Sequence, residues 1–244
     1  PNGRLAVPTQ TAHVLALMFD LIKPEDRQRI IATLAQYIHE NNGHLTTGFV
    51  GTPYLCLVLS QNGYNELAYK LIQQKDYPSW LYPITKGATT MWEHWDGIKE
   101  DGSFWSADMN SFNHYAYGSV GDWMYRVVAG IDTTIDKPGY KHIIIKPQPG
   151  PGITYAKASF NSMYGMIKSS WEDKGDSMEI SITIPSNTTA TVVLPYVESI
   201  ENVYERDKNI KDVEGILSSK ELECGVELEI GSGEYCFTYT KATK

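Results

Sequence analysis

Cysteine is scarce in this 244-residue sequence, which contains only Cys56, Cys224 and Cys236. Three scattered thiols cannot form a disulfide framework or a cysteine metal centre, although Cys224 and Cys236 could pair across strands. Cys56 lies inside an apolar run and is predicted to be a small buried core residue. We therefore expect a fold held together by its apolar core, with neither a metal site nor a cofactor.

Basic charge and long apolar runs are lacking as well. Lysine and arginine number 21 against 29 acidic residues, which gives a net charge of −8. A nucleic-acid partner is therefore excluded, because binding to phosphates needs a basic surface. No stretch approaches the roughly 20 apolar residues of a membrane helix, so we expect a soluble protein with no membrane span. A periplasmic or extracellular location is favoured over a cytoplasmic one.

Hydrophobic residues make up 42% of the chain and charged residues 20%, which is typical of a globular protein. Apolar residues recur at helical spacing through the first 130 residues. The pattern predicts helices over 11–22, from Pro24 to Asn41, from Thr52 to Asn62 and over 65–73, and a last helix that carries Tyr117 to Val128 and ends at Gly130. Short connections between them predict antiparallel helical hairpins.

Residues 74–112 interrupt this pattern with a long segment rich in glycine, proline, tryptophan and aspartate. Long irregular segments in compact domains are commonly functional. Disorder is implausible here, because five of the six tryptophans lie in the segment or just beyond it: Trp80, Trp92, Trp95, Trp105 and Trp123.

After Ile131 the apolar period changes from that of a helix to that of a strand. Residues 178–184 alternate apolar and polar side chains without a break. Further strands are predicted over 142–146, 155–160, 166–171, 189–194 and 235–240. The fold class is therefore predicted to be multidomain, with helical hairpins over residues 1–132 and an antiparallel β-sandwich over residues 133–244.

The predicted helices present more apolar surface than five helices can bury among themselves. Repeated hairpins need neighbours on both sides to cover their faces. We therefore expect further hairpins to precede Pro1.

The chemically informative segment extends from Gly87 to Gly97 and reads Gly-Ala-Thr-Thr-Met-Trp-Glu-His-Trp-Asp-Gly. Aromatic faces stack on the C–H faces of sugar rings, and carboxylates serve as general acids or bases. This mixture suits a sugar site. On chemistry alone, ordinary packing beside a surface acid is the more frequent explanation of such a pattern.

Several segments resemble the bacterial α-L-rhamnosidase family of inverting glycoside hydrolases. The resemblance covers most of the first 150 residues. It is carried by Trp80 to Asp96, by the Ser-Phe-Asn-His-Tyr-Ala-Tyr-Gly run from Ser111 and its continuation to Tyr125, by 128–131, and by the shorter segments 9–12 and 48–53.

This resemblance implies the second half of an (α/α)6 toroid of six helical hairpins, followed by a β-sandwich. It implies hydrolysis of terminal α-L-rhamnose with inversion, with a rhamnose-containing oligosaccharide or glycoside as substrate. The motif glutamate, here Glu93, would be the general base, and the motif histidine, His114, would contact the sugar. The general acid would lie in the upstream part of the same enzyme, so the chain alone is expected to be inactive.

Three neighbours of Glu93 are further candidates for substrate binding. Trp95 is the better candidate for a sugar platform, whereas Trp92 could equally be a core residue. Asp96 could bind a hydroxyl or only cap the turn before Gly97. For His114, the alternative is helix capping or packing.

Two other functions fit the same sequence. One is another toroid glycosidase or a glycoside phosphorylase, which the identity of the sugar would distinguish. The other is a non-catalytic carbohydrate-binding fragment, for which binding of rhamnose by residues 140–244 alone would speak.

Overall fold

The computed structural model describes residues 5–242, and the chain divides into two compact units. The first unit extends to Trp123 and includes Gly150–Gly152. The second comprises Met124–Pro149 and the residues from Ile153 onward. The predicted domain boundary between residues 132 and 133 stays a prediction, because compactness alone does not define an independently folding domain.

The first unit is built from helices, and those that are close in sequence pack against one another. Helix α1 contacts α2 and α3, and α3 contacts α4 and α6, so the predicted helical hairpins are confirmed. Their bounds are α1 Gln10–Met18, α2 Arg27–Glu40, α3 Thr52–Gln61, α4 Asn65–Gln73, α5 Leu81–Thr85 and α6 Val120–Trp123, with 3-10 turns at Pro24–Asp26 and Tyr115–Ser119.

Helix ends follow local chemistry. The Thr9 hydroxyl caps α1 by accepting the Ala12 N–H at 3.2 Å. After α2, Gly43 adopts a φ of +79° and its N–H returns to the Ile38 carbonyl at 2.8 Å, which closes the helix. Helix α1 is shorter than predicted, and Leu21 lies beyond it, 72% exposed.

The last predicted helix is not regular. The 3-10 turn Tyr115–Ser119 leads into α6, and a π-helical turn follows at Met124–Val128. Ala129 donates its N–H to the Met124 carbonyl at 2.9 Å, which is the five-residue spacing of a π-turn. Two glycines, Gly118 and Gly121, weaken a regular α-helix here.

The second unit contains two β-sheets. One has the strand order β1-β2-β6-β10-β9 and the other β3-β4-β5-β11-β7-β8. The strands are β1 Ile131–Thr133, β2 His142–Ile145, β3 Tyr155–Ser162, β4 Gly165–Asp173, β5 Ser177–Ile184, β6 Thr189–Pro195, β7 Val203–Glu205, β8 Lys208–Asn209, β9 Ile216–Leu222, β10 Gly225–Ile230 and β11 Gly233–Thr240.

Alternating side chains build the core of these sheets. In β5, Met178, Ile180, Ile182 and Ile184 are all buried, as their period predicts. The predicted fold class, helical hairpins followed by a β-sandwich, is thus confirmed. One pairing differs from expectation, because β2 pairs with β6 in parallel.

The cysteines are free thiols in this fold. Cys56 is 2% exposed, which confirms its predicted place in the core, and burial raises the pKa of its thiol to about 12. The pairing of Cys224 with Cys236 is not formed.

Candidate active site

The two sequence motifs lie side by side in the helical unit. The Glu93 N–H donates to the Ser111 carbonyl at 3.0 Å, and the His114 N–H donates to the Met91 carbonyl at 2.8 Å. These bonds tie residues 91–93 to residues 111–114. Glu93 and His114, 21 residues apart in sequence, therefore lie on adjacent segments of the backbone.

Glu93 occupies a partly buried position. Its side chain is 19% exposed, and its Oε1 lies 4.0 Å from Nε2 of His94. The pKa of the Tyr117 hydroxyl is raised, first by burial, then by Tyr77 and then by the charge of Glu93. Tyr117 therefore remains a neutral hydroxyl close to the carboxylate.

His114 begins the 3-10 turn after its motif. Its Nδ1 accepts the Ala116 N–H at 3.3 Å, so the capping alternative describes a contact that is present. Because Nδ1 accepts, the neutral ring carries its proton on Nε2. The imidazole stacks on Phe49 with ring centroids 4.8 Å apart and an interplanar angle of 12°. Helix capping thus leaves Nε2–H as a donor for a ligand.

Trp95 and Trp92 are both buried. Trp95 is 7% exposed, and its ring stacks on Tyr117 at 3.8 Å between centroids and 13° between planes. Trp92 is 4% exposed and meets Phe112 edge to face at 5.0 Å. These contacts support the packing alternative, and direct contact of either indole with a sugar stays a prediction.

Asp96 lies in a turn that is closed by the Gly97 N–H and the His94 carbonyl at 3.1 Å. Its charge acts on two nearby tyrosines. The pKa of Tyr77 is raised by burial and then by Asp96, and among the smaller causes of the raised pKa of Tyr82, after burial and Glu100, is the charge of Asp96. Asp96 is therefore close enough to these rings to form one polar edge of the same site.

A hollow of about 750 Å³ lies elsewhere on the helical unit, where its lining includes Tyr64, Glu66, Lys70 and Gly152. It contains none of the predicted site residues. We assign the candidate site to the surroundings of Glu93, because two chemically distinctive motifs converge there. Within residues 5–242, no group of three or more His, Cys, Asp or Glu side chains is arranged to hold a metal ion. No helix in this range is long and apolar enough to cross a membrane.

Comparison with known proteins places this geometry in a family. The sequence profile described as the bacterial alpha-L-rhamnosidase 6 hairpin glycosidase domain matches residues 1–128. The chain belongs to the bacterial α-L-rhamnosidase family. A second profile, the bacterial alpha-L-rhamnosidase C-terminal domain of the same family, matches residues 130–208.

Individual family members are similar over nearly the whole chain. An α-L-rhamnosidase of Streptomyces avermitilis is 40% identical over 237 residues, which is 97% of this chain. A crystal structure of α-L-rhamnosidase from this organism, complexed with L-rhamnose, matches 96% of the chain with a TM-score of 0.86 and 41% identity. The α-L-rhamnosidase structure from Dictyoglumus thermophilum, 36% identical, covers 96% with a TM-score of 0.83.

The chain spans only 22% of the Streptomyces sequence and 22% and 25% of the two solved chains. In these relatives, the matched region is therefore one part of a longer protein.

Sequence reasoning did not single out four aromatic residues that border this site. In the sequence, Tyr117 is one residue of the apolar stripe of a predicted helix, and Phe49 is one residue of the segment 48–53 that resembles the family. Tyr77 and Trp105 lie in the irregular segment, where no period marks them. Proximity to a motif along the chain was the one available signal, and it could not reveal that Phe49 stacks on His114.

Proposed function

We propose that this chain forms the C-terminal part of an α-L-rhamnosidase, which hydrolyses terminal α-L-rhamnosides with inversion of configuration, and that Glu93 is the general base. The observation that carries the proposal is the backbone pairing of residues 91–93 with 111–114, which brings the segment with the glutamate of one family motif beside the segment with the histidine of the other. The names of the similar proteins support the choice of rhamnose as the sugar.

The proposed reaction needs two carboxyl groups. In an inverting enzyme they stand roughly 6.5–9.5 Å apart, so that a water fits between the base and the sugar. Glu93 takes a proton from this water, whose oxygen attacks the anomeric carbon. A general acid protonates the leaving oxygen on the opposite face of the ring. We propose that the acid lies outside these residues, in the rest of a protein of the length of the relatives.

The neighbours of Glu93 have distinct proposed roles. Nε2–H of His114 donates to a sugar hydroxyl, and Asp96 accepts from another. Trp95 is proposed to act through Tyr117, because its indole is covered by that ring. Trp92 is proposed to support the wall of the site from below, since Phe112 covers it.

Replacing Glu93 in the complete protein tests the proposal. Glu93→Gln keeps the size of the side chain but removes the base, so turnover of 4-nitrophenyl α-L-rhamnoside should fall by a factor on the order of 10² or more with binding retained. Optical rotation or NMR during the wild-type reaction should detect the β anomer of rhamnose before the α anomer, because the reaction inverts the configuration at the anomeric carbon.

Glu100→Gln is the matched control. Glu100 is an exposed acid seven residues away, whose carboxylate pairs with Lys86 at 2.9 Å, and its loss should leave turnover within about twofold, as for a surface substitution. Unchanged turnover in Glu93→Gln would refute the role of base. Initial release of the α anomer would refute inversion, and turnover of a different aryl glycoside alone would favour another toroid glycosidase.

A further inference from the structure

One aromatic pair beside Glu93 has no role in the mechanism above. The imidazole of His94 stacks on the indole of Trp105, with ring centroids 3.6 Å apart and planes within 9° of parallel. His94 is also the neighbour of the catalytic candidate, at 4.0 Å from Nε2 to Oε1 of Glu93. His94 therefore connects the Glu93 carboxylate to the Trp105 indole through two short contacts. A rhamnoside substrate is large enough to extend across both.

Trp105 is held by a small β-hairpin over residues 97–105. Ile98 pairs with Phe104, the Trp105 N–H donates to the Gly97 carbonyl at 3.0 Å, and the Lys99 N–H donates to the Ser103 carbonyl at 2.8 Å. The backbone that carries the ring is thereby fixed by hydrogen bonds on both sides of one β-bridge. A platform that is ordered before binding loses little conformational freedom when a ligand arrives.

Both ends of the hairpin are anchored. At the turn, Oδ1 of Asp101 accepts the N–H and the hydroxyl of Ser103 at 2.9 and 2.7 Å. At the base, Gly97 is packed so tightly that an added Cβ would stand 3.0 Å from both Phe112 and Trp92. The buried Trp92 therefore supports the hairpin that carries Trp105.

Exposure separates Trp105 from the other tryptophans. It is 39% exposed, whereas the other five are 7% exposed or less. One face of the indole is covered by His94, so the exposed surface belongs to the rest of the ring. An exposed indole near a carboxylate is suited to bind flat apolar groups such as the C–H face of a sugar or an aryl ring.

The gradient of exposure indicates which part of the substrate lies there. The Glu93 side chain is 19% exposed, whereas Phe104 and Met109 in the Trp105 loop are 58% and 50% exposed. Glu93 is therefore more buried than residues 104–109, whose exposed side chains we take as the solvent-facing rim. A terminal sugar that is cleaved at the carboxylate occupies the deep position, and the group attached to it projects toward the rim.

We propose that Trp105, backed by His94, is a stacking platform for the leaving group of the rhamnoside, either an aryl ring or the next sugar, and that it determines specificity for that group. This inference rests on the proposed function, since it needs a substrate whose anomeric carbon lies at Glu93. It assigns the sugar-platform role to the exposed indole, in place of the covered indole of Trp95.

The test compares two rhamnosides in the complete protein. 4-Nitrophenyl α-L-rhamnoside carries a flat leaving group and methyl α-L-rhamnoside carries almost none. In Trp105→Ala, the ratio of kcat/KM for the aryl substrate to that for the methyl substrate should fall about tenfold relative to the wild type, which is the size expected for one lost stacking contact. Most of the change should appear in KM, because the platform binds the leaving group and touches no reacting atom.

Two variants separate stacking from a loss of structure. Trp105→Phe keeps an aromatic face and should hold the ratio within about threefold, whereas Phe104→Ala removes an exposed ring of the same hairpin that is not stacked on His94 and should hold it within about twofold. An unchanged ratio in Trp105→Ala overturns the platform, and an equal fall in Phe104→Ala overturns its assignment to Trp105. A wild-type protein that hydrolyses neither rhamnoside overturns the proposed function, and the platform with it.

Discussion

In the sandwich, neighbouring strands are joined by long ladders, such as the eight residue pairs between β5 and β11. Residues 74–114 of the helical unit are held mostly by single contacts instead. The Trp80 indole donates to the Tyr117 carbonyl at 3.0 Å, and the Tyr82 hydroxyl donates to the Ile98 carbonyl at 3.1 Å. The sandwich therefore distributes its stability over many equivalent bonds, whereas the site segment depends on individual side chains.

This difference has a functional reason. A regular ladder directs side chains to two faces at a fixed period. A site that must bring Glu93, His114 and the rings around them together cannot keep that period, so side-chain contacts replace the ladder. The comparison predicts that core substitutions in the sandwich change stability without changing chemistry, while loss of a buried side chain that makes one of these single contacts in the site segment changes both.

The largest expected effect on stability is in the sandwich core. Phe237 lies in β11 and is fully buried, so Phe237→Ala should lower the opening free energy of β5 and β11 by about 3–5 kcal/mol. Native-state hydrogen exchange of the amides in both strands measures this quantity. Glu234→Ala, at an exposed position of the same strand, should stay within about 0.5 kcal/mol. Equal effects of the two substitutions would contradict the assigned core.

An intermediate effect comes from removing the same bond in both regions. Trp171 donates its indole N–H to the Val128 carbonyl at 2.7 Å, as Trp80 does to that of Tyr117. Replacing either by phenylalanine leaves a buried carbonyl without this donor, at a cost of about 1–3 kcal/mol. Hydrogen exchange should report the loss in each case.

Activity separates these two variants. Trp80→Phe should also reduce turnover of an aryl α-L-rhamnoside, because the Tyr117 ring that covers Trp95 is then held less firmly. Trp171→Phe should leave turnover within about twofold, as expected for a substitution in the core of the sandwich, which supplies none of the proposed site residues. The comparison fails if Trp171→Phe reduces turnover as much as Trp80→Phe does.

Sequence patterns predicted the sandwich better than the site segment, because only the sandwich keeps a regular period of side chains. The two-residue period of apolar side chains identified β5 and five other strands, because burial of one face of a strand makes every second residue apolar. It did not reveal the parallel pairing of β2 with β6, which joins His142 to Thr189 across 47 residues. The predicted strands do not include β9, whose residues are mostly exposed and polar, or β10, although Val226, Leu228 and Ile230 alternate with polar residues there.

In the site, motifs identified residues but not their surroundings. Glu93 and His114 could be named from the sequence, since each belongs to a distinctive run. The covering of Trp95 by Tyr117 and the exposure of Trp105 depend on contacts between distant parts of an irregular segment. No local rule predicts such contacts, so the sequence favours Trp95 as the platform although its indole is buried.

The smallest expected effect is a pH-dependent contact in the sandwich. Partial burial raises the pKa of Asp173, but hydrogen bonds from Lys241 and from the Gly175 N–H, together with the Lys241 charge, outweigh it and hold the pKa below its ordinary value. A carboxyl whose pKa is lower in the folded state stabilises the fold above its unfolded pKa of about 3.9. This contribution is lost as the pH falls through the folded pKa.

Asp173→Asn should therefore lower the opening free energy near β4 at pH 7 by less than about 1 kcal/mol, because the pair is partly solvated. The difference from the wild type should shrink as the pH falls below the unfolded pKa of about 3.9 and through the lower folded pKa. Hydrogen exchange with labelling at each pH, corrected for intrinsic rates, measures it, with Asp207→Asn as the exposed control. A difference that grows as the pH falls would reverse the sign of the shift, and one as large as that of Phe237→Ala would show that the sandwich, like the site segment, depends on single side chains.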